Sequence, residues 1–444
     1  MNEKNSGPVR DARTLGVPKM LLLGLQHMFA MFGATVLVPI IVSGYGLPLS
    51  IQTTLLFAGL GTLLFHACTK FKVPAFLGSS FAYLGGFAAV AELNGGKYAS
   101  MTGADKLPYA LGGVVVAGLL YLVLALLFKV VGPYKVMRYF PPVVTGPIII
   151  LIGLILAPTA VTNAATCWPL ALLAIAAIIV FNIWGRGMLK IIPILLGVVI
   201  PYAAALLTGQ VDFSSVGEAG FFGLQPFVLA KFDVSAILVM APIAIAAMME
   251  HVGDISAISA TVGENFLEDP GLHRTLVGDG LATSLAGMFG GPANTTYGEN
   301  TGVLVLSRVY DPKVVRLAAV YAVILSFSPK FAAVINSIPT AIIGGVSFVL
   351  YGMISAVGIR NVVENQVDFT RSRNLLIAAV ILVSGLGFNS YGGLTFTVAG
   401  AHVTLTGLAI AAIAGVALNA ILPGNDFQFG KTASADGSAD LGKY

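Results

Sequence analysis

Apolar runs of membrane-crossing length recur along the chain from Pro18 to about Leu422, separated by short polar breaks. Fourteen are read, beginning near Pro18, Leu49, Val73, Leu107, Tyr139, Pro169, Ile191, Ala236, Thr275, Pro292, Val315, Pro339, Asn374 and Val403. About 20 apolar residues in a helix cross a bilayer. The third and tenth runs differ from the rest. Each is short, begins near a proline and is rich in Gly, Ser or Thr. Pro and Gly make poor helix interiors, so both are predicted to be broken. Irregular backbone at membrane depth persists only where protein buries it or where it lines a cavity.

Charge placement supports the number fourteen. With the N-terminus in the cytoplasm, only Lys97, Lys106, Lys231 and Lys330 of the 24 Lys and Arg fall outside. A missed span would swap the later loops between the two sides and destroy that bias. Both termini are therefore expected in the cytoplasm.

Two segments seven spans apart resemble each other. Pro141-Pro-Val-Val-Thr-Gly146 opens the fifth span and Pro339-Thr-Ala-Ile-Ile-Gly344 the twelfth. Gly59-Leu-Gly61 precedes Pro74-Ala75 as Gly278-Asp-Gly280 precedes Pro292-Ala293. An odd-numbered unit used twice gives halves of opposite orientation. The expected fold class is thus an all-α polytopic membrane protein built as a 7+7 inverted repeat. In such folds the substrate sits at the shared interface, beside discontinuous helices. The third and tenth spans are then equivalents, which accounts for both being broken.

Composition agrees: 57% of the 444 residues are hydrophobic and 10% charged, against about 25% charged in soluble proteins. The net charge of +4 is small and calls for no nucleic acid. Cys68 and Cys167 form no ligand pattern, and neither a metal nor a cofactor is expected.

Four acids fall inside the predicted spans: Glu250, Asp254, Asp279 and Glu299. A carboxylate there costs roughly 2.5–3.5 kcal/mol on insertion scales and marks a substrate or proton site. Glu299 lies within the Gly- and Pro-rich stretch 291–302. Glu250 and Asp254, spaced i, i+4, share one helical face and cannot both ionise cheaply. No Lys or Arg accompanies them except at span ends. That inventory suits a neutral solute that donates N–H groups, or a cation, rather than an anion. Asp279 is expected to make a structural bond or a cytoplasmic-side contact. His251 points about 100° away from Glu250, which argues against its touching substrate. Gln26 and His27 read as interhelical hydrogen-bonding groups beside the site. His66 and His402 read as interfacial. Backbone of the two broken spans is expected to pair and to leave N–H groups for substrate carbonyls at the following helix starts.

Four motifs then carry a resemblance: Glu250-His-Val-Gly-Asp254, Asp269-Pro-Gly-Leu-His-Arg274, Asn294-Thr-Thr-Tyr-Gly-Glu-Asn300 and Leu77-Gly-Ser-Ser-Phe-Ala82. The chain resembles the nucleobase–ascorbate transporter family of nucleobase–cation symporters, and within it the bacterial uracil carriers. The resemblance implies a core domain (18–138 and 236–334) and a gate domain (139–210 and 335–422). These are joined by an external linker (211–235) and flanked by a cytoplasmic segment (1–17) and a polar tail (423–444). It implies short antiparallel strands in spans three and ten, proton-driven uracil uptake across the bacterial inner membrane, and a homodimer.

Carried over residue by residue, Glu250 and Glu299 match the substrate-binding carboxylates. Phe81 and Gly298 match positions whose backbone meets the base, and Tyr297 lines the pocket. Asn300 falls beside the site with Gln26 and His27. Asp254, with Glu250, is the candidate proton-coupling group; some uracil carriers have His at the position of Asp254. Glu at 299 points to a pyrimidine, since purine-carrying relatives usually have Gln. The rivals are a xanthine or uric acid carrier of the same family, an inorganic anion transporter, an intramembrane acid–base enzyme and a channel. No nucleophile or metal motif supports an enzyme.

Overall fold

The computed structural model describes residues 7–398 and 401–425. In chain order it contains α1 (Val17–Gly44), α2 (Ile51–Cys68), β1 (Leu77–Ser79), α3 (Leu84–Ala91), α4 (Gly103–Val131), α5 (Pro133–Met137) and α6 (Pro142–Ala164). Next come α7 (Trp168–Trp184), α8 (Met188–Ile191), α9 (Pro193–Leu207), α10 (Ser214–Glu218), α11 (Val234–Met240) and α12 (Ile243–Val262). The rest is α13 (Leu272–Phe289), β2 (Asn294–Thr296), α14 (Gly298–Ser307), α15 (Pro312–Ser326), α16 (Pro329–Asn336), α17 (Thr340–Glu364), α18 (Ser372–Tyr391), β3 (Leu394–Val398), β4 (Ala401–Leu405) and α19 (Gly407–Ile421). Most of the polar tail (426–444) lies outside the described residues.

This is a mostly helical, polytopic membrane protein. Among the described residues, seven helices are long and apolar enough to cross a membrane, or eight with the bent pair α15–α16. Helix α13 is not among them, although it is as long as α2. It carries His273, Arg274 and Asp279, and most of it is buried against α4 and α2. Protein rather than lipid solvates its polar groups, so it needs no apolar sequence.

Three expectations change. The eleventh run turns by 89° between Ser326 and Pro329. Pro329 lacks the N–H needed to continue a helix, and Ser328 Oγ caps the new one by accepting from Phe331 N at 3.2 Å. The fourteenth helix begins at Gly407 rather than Val403. Before it, β3 and β4 pair antiparallel, an element absent from the expected fold. Gly392 and Gly393, with φ of 92° and 85°, end α18, and the β-branched residues that follow favour a strand. His66 is not interfacial: it is fully buried, and Nε2 lies 2.8 Å from Ala75 O.

The central device is the β1–β2 ladder. Leu77, Gly78 and Ser79 pair antiparallel with Thr296, Thr295 and Asn294. All six residues are buried. A three-residue strand has two free edges, whose backbone groups still need partners. Two threonines supply them. Thr62 of α2 accepts from Leu77 N at 2.9 Å, and its hydroxyl, which donates to Ala58 O at 2.8 Å, also lies 3.2 Å from Leu77 O. Thr283 of α13 accepts from Asn294 N at 3.2 Å and donates to Asn294 O at 3.1 Å. Gly78 must be glycine because a Cβ there would lie 2.4 Å from the Tyr297 ring. Gly78→Val is therefore expected to displace Tyr297 and lower the thermal unfolding midpoint in detergent. A variant with wild-type melting would contradict this packing.

Candidate functional site

Each strand of the ladder runs into a helix start. After β1 a single tight turn, Phe81–Tyr83, leads into α3. After β2, Tyr297 is the cap residue of α14, so Gly298 and Glu299 stand in its first turn. The first backbone N–H groups of a helix have no intrahelical acceptor, and the helix end carries partial positive charge. Phe81, before the first of these starts, and Gly298, at the second, border one space.

A cavity of about 470 Å³ lies there, lined at its deep end by Phe81, Glu250, Thr296, Tyr297, Gly298 and Glu299. Asp254 lines it one turn along α12 from Glu250. The structure therefore brings all six substrate and proton candidates to one space. Asp254 Oδ2 accepts from Thr296 Oγ1 at 2.8 Å, which fastens α12 to the ladder. A methyl added at Gly298 would stand 3.9 Å from Asp254 Oδ1. Glu250 Oε2 is buried and meets no donor from the described residues. A buried acceptor left so is costly unless a ligand supplies the hydrogen.

Tyr297 contributes its ring to the cavity but spends its hydroxyl on the ladder. The O–H donates to Ser79 O at 2.9 Å and lies 3.2 Å from Ser79 Oγ. Ser79 Oγ in turn donates to Thr35 O on α1 at 2.9 Å. Asn300 and His27 form an interhelical tie, whereas Gln26 Oε1 is buried and meets no donor among the described residues. Asn300 Nδ2 donates to His27 O at 3.0 Å, joining α14 to α1, and both residues are fully buried. Gln26, His27 and Asn300 do not line the cavity. His251 Nδ1 lies 2.7 Å from Asp279 Oδ2, both fully buried. Asp279 thus makes a structural contact between α12 and α13, and His251 faces away from the cavity.

Sequence reasoning missed the hydroxyls Thr35, Thr62, Thr283 and Thr296. Their only signal was a polar residue in an apolar run, shared with many others. It also gave no role to Lys190 and Arg360, which are exposed at the cavity rim. Arg360 also pairs with Glu364 at 3.2 Å. At the opposite end, Phe81 packs edge-on against Tyr351, ring centroids 5.8 Å apart. Beyond Phe81 is a crevice of only about 10 Å³, too small to pass more than a water.

The model of a permease family, Xan_ur_permease, matches residues 18–392. A uracil permease of Bacillus caldolyticus is 44% identical over 431 residues, 94% of each chain. Uracil permeases of Bacillus subtilis and Escherichia coli are 41% and 37% identical, over 90% of this chain and 91% and 90% of theirs. Among solved structures, the transmembrane domain of the cyanobacterial bicarbonate transporter BicA aligns with a TM-score of 0.58 at 18% identity. That alignment covers 84% of this chain and 99% of that one. SLC26A9 aligns with a TM-score of 0.62 at 10% identity, covering 92% of this chain and 65% of that one. These two likenesses concern the fold alone.

Tyr297→Phe should keep the ring in the cavity and remove one donor from the ladder. An orphaned buried carbonyl costs about 1–3 kcal/mol, so the unfolding midpoint should fall. An unchanged midpoint would mean that Ser79 O finds another partner.

Proposed function

Since the chain belongs to the nucleobase–ascorbate transporter family, we propose that it is a uracil:proton symporter importing uracil across the bacterial cytoplasmic membrane by alternating access. One observation carries the reading: two carboxylates and two helix starts converge on a single cavity. Uracil has two N–H donors and two carbonyl acceptors. Glu250 and Glu299 accept from the N–H groups, and backbone N–H groups at Phe81 and Gly298 donate to the carbonyls. Relatives named uracil permeases align over about nine-tenths of the chain. Glu299 favours uracil over a purine. Anion transport fits the deep end poorly, because its side chains are carboxylates and the cations Lys190 and Arg360 stand at the rim.

Fourteen spans in a 7+7 inverted repeat form the frame, with the ladder between the broken third and tenth. What supports the repeat is the pairing of elements. Helix α2 packs on α15 as α13 packs on α4; α1 meets α15 as α11 meets α4; α7 meets α9 as α18 meets α19. Each pair maps onto the other by a shift of seven spans. Thr62 and Thr283 bracket their strands in the same equivalent way.

The core (18–138 and 236–334) carries the ladder and the carboxylates, and moves against the gate (139–210 and 335–422). The bias of Lys and Arg puts Lys190 and Arg360 in the cytoplasm, so this arrangement is inward-open. Phe81 and Tyr351 shut the outer side. Protonation at Glu250 or Asp254 neutralises the cluster and favours the loaded, mobile state. The protein works as a homodimer.

Uracil uptake into proteoliposomes, under imposed pH and sodium gradients one at a time, tests the activity; only an inward proton gradient should drive accumulation. Glu299→Gln should weaken uracil binding about tenfold to hundredfold, the range for a hydrogen bond to a charged group. Asp254→Asn should flatten the pH dependence of uptake more than it harms binding. Uptake by Asp254→Asn that still rises on external acidification moves the proton to Glu250.

A further inference from the structure

The polar segment before α1 has no part in the transport chemistry, and it precedes residue 18, where the family match begins. It is nevertheless stitched to the structure at several points. Val9 pairs in parallel with Val309: Val9 N–H donates to Arg308 O, and Tyr310 N–H donates to Val9 O, each at 2.9 Å. Arg10 pairs with Glu264, and its Nη2 donates to Val262 O at 3.1 Å. Ala12, fully buried, donates its N–H to Asp311 Oδ2 at 2.8 Å. Lys313 Nζ bridges Asp11 and Asp311 at 3.3 and 3.1 Å. The hydrogen-bonded Arg13 guanidinium holds the Asp11 carboxyl well below the usual carboxylate range.

One anchor, Asp311, caps the start of α15; the other two are helix ends. Val262 is the last residue of α12, with Glu264 two positions beyond it; Arg308 caps the end of α14, with Tyr310 two positions beyond it. Helix α12 carries Glu250 and Asp254, and α14 carries Glu299. Thr261 and Leu306, next to the anchors, line the same cavity as the carboxylates. We propose that residues 8–13 form a strap that fixes the spacing of α12 and α14 and so positions Glu250 against Glu299 for substrate. This rests on the uracil reading above for its ligand, though not for its geometry. The paired backbone at Val9 and the buried bond to Asp311 hold the strap to the end of α14 and the start of α15; exposed ion pairs contribute little, so the Arg10 bond to the Val262 carbonyl is the link that reaches α12. Arg10 is a positioning residue, since it acts on α12 and does not touch substrate.

The test uses the full-length protein in nanodiscs, with Cys68→Ser and Cys167→Ser and nitroxide labels at Ala260 and Leu306, measured by pulsed electron resonance. Unlabelled protein gives the uracil Kd and uptake kinetics. Deletion of residues 2–13, and separately Val9→Pro, which removes the Val9 N–H, should broaden the distance distribution. Each should also raise Kd about fivefold or more while maximal uptake stays within about twofold. Arg10→Lys should lie closer to wild type than Arg10→Ala. If the deletion does not yield monodisperse protein, Val9→Pro decides. An unchanged distribution, or a broadened one with unchanged Kd, overturns the proposal. Absence of uracil binding by the wild type would overturn the substrate reading instead, leaving the distance distribution to judge the strap.

Discussion

The structure depends on satisfying backbone that is neither helix nor exposed to water. At the ladder, six residues give up helical hydrogen bonds in the middle of an apolar protein. Each unpaired amide or carbonyl there would cost about 1–3 kcal/mol. Three-residue strands cannot satisfy themselves, so the fold surrounds them. Thr62 and Thr283 bracket the outer edges, Tyr297 reaches back to Ser79, and Asn294 Nδ2 donates to Phe57 O at 3.2 Å. Breaking two helices leaves their starts free, and Phe81 and Gly298 at those starts line the cavity. The shape of the cavity is thus a consequence of how the break is supported.

Charge follows the same logic. Helix starts supply partial positive charge, so the carboxylates need no Lys or Arg at depth. Asp254 is tied to the ladder through Thr296, while Glu250 retains an oxygen without a partner among the described residues. The two acids on one helical face are therefore unequal: one is structurally engaged, the other open to ligand. Full cations appear only at the rim, where water solvates them. Phe81 belongs both to the cavity and to the closure against Tyr351, so it stands where substrate recognition and access meet.

Much of this was legible in the sequence. Pro and Gly in the third and tenth runs announced the breaks, and Glu250, Asp254 and Glu299 stood out because carboxylates in apolar runs are expensive. Their convergence on one cavity followed from the motifs. Other features were hidden for physical reasons. Thr62 and Thr283 look like any threonine in a membrane helix; only the ladder gives them work. The turn at Pro329 and the β3–β4 hairpin sit in runs whose hydropathy alone reads as continuous helix. His66 looked interfacial because a histidine near a span end usually is; the chain folding back from Ala75 buries it. The strap was invisible because its partners lie some 250 to 300 residues away.

The central claim is that carboxylates receive both N–H groups of an uncharged base. Calorimetric affinities of the purified protein for uracil, 1-methyluracil and 3-methyluracil address it directly. Each methyl group removes one donor and leaves one carboxylate buried without a partner. The account predicts that each methylated base binds at least about tenfold more weakly than uracil, in keeping with the loss of a hydrogen bond to a charged group. Equal affinity for all three would contradict it.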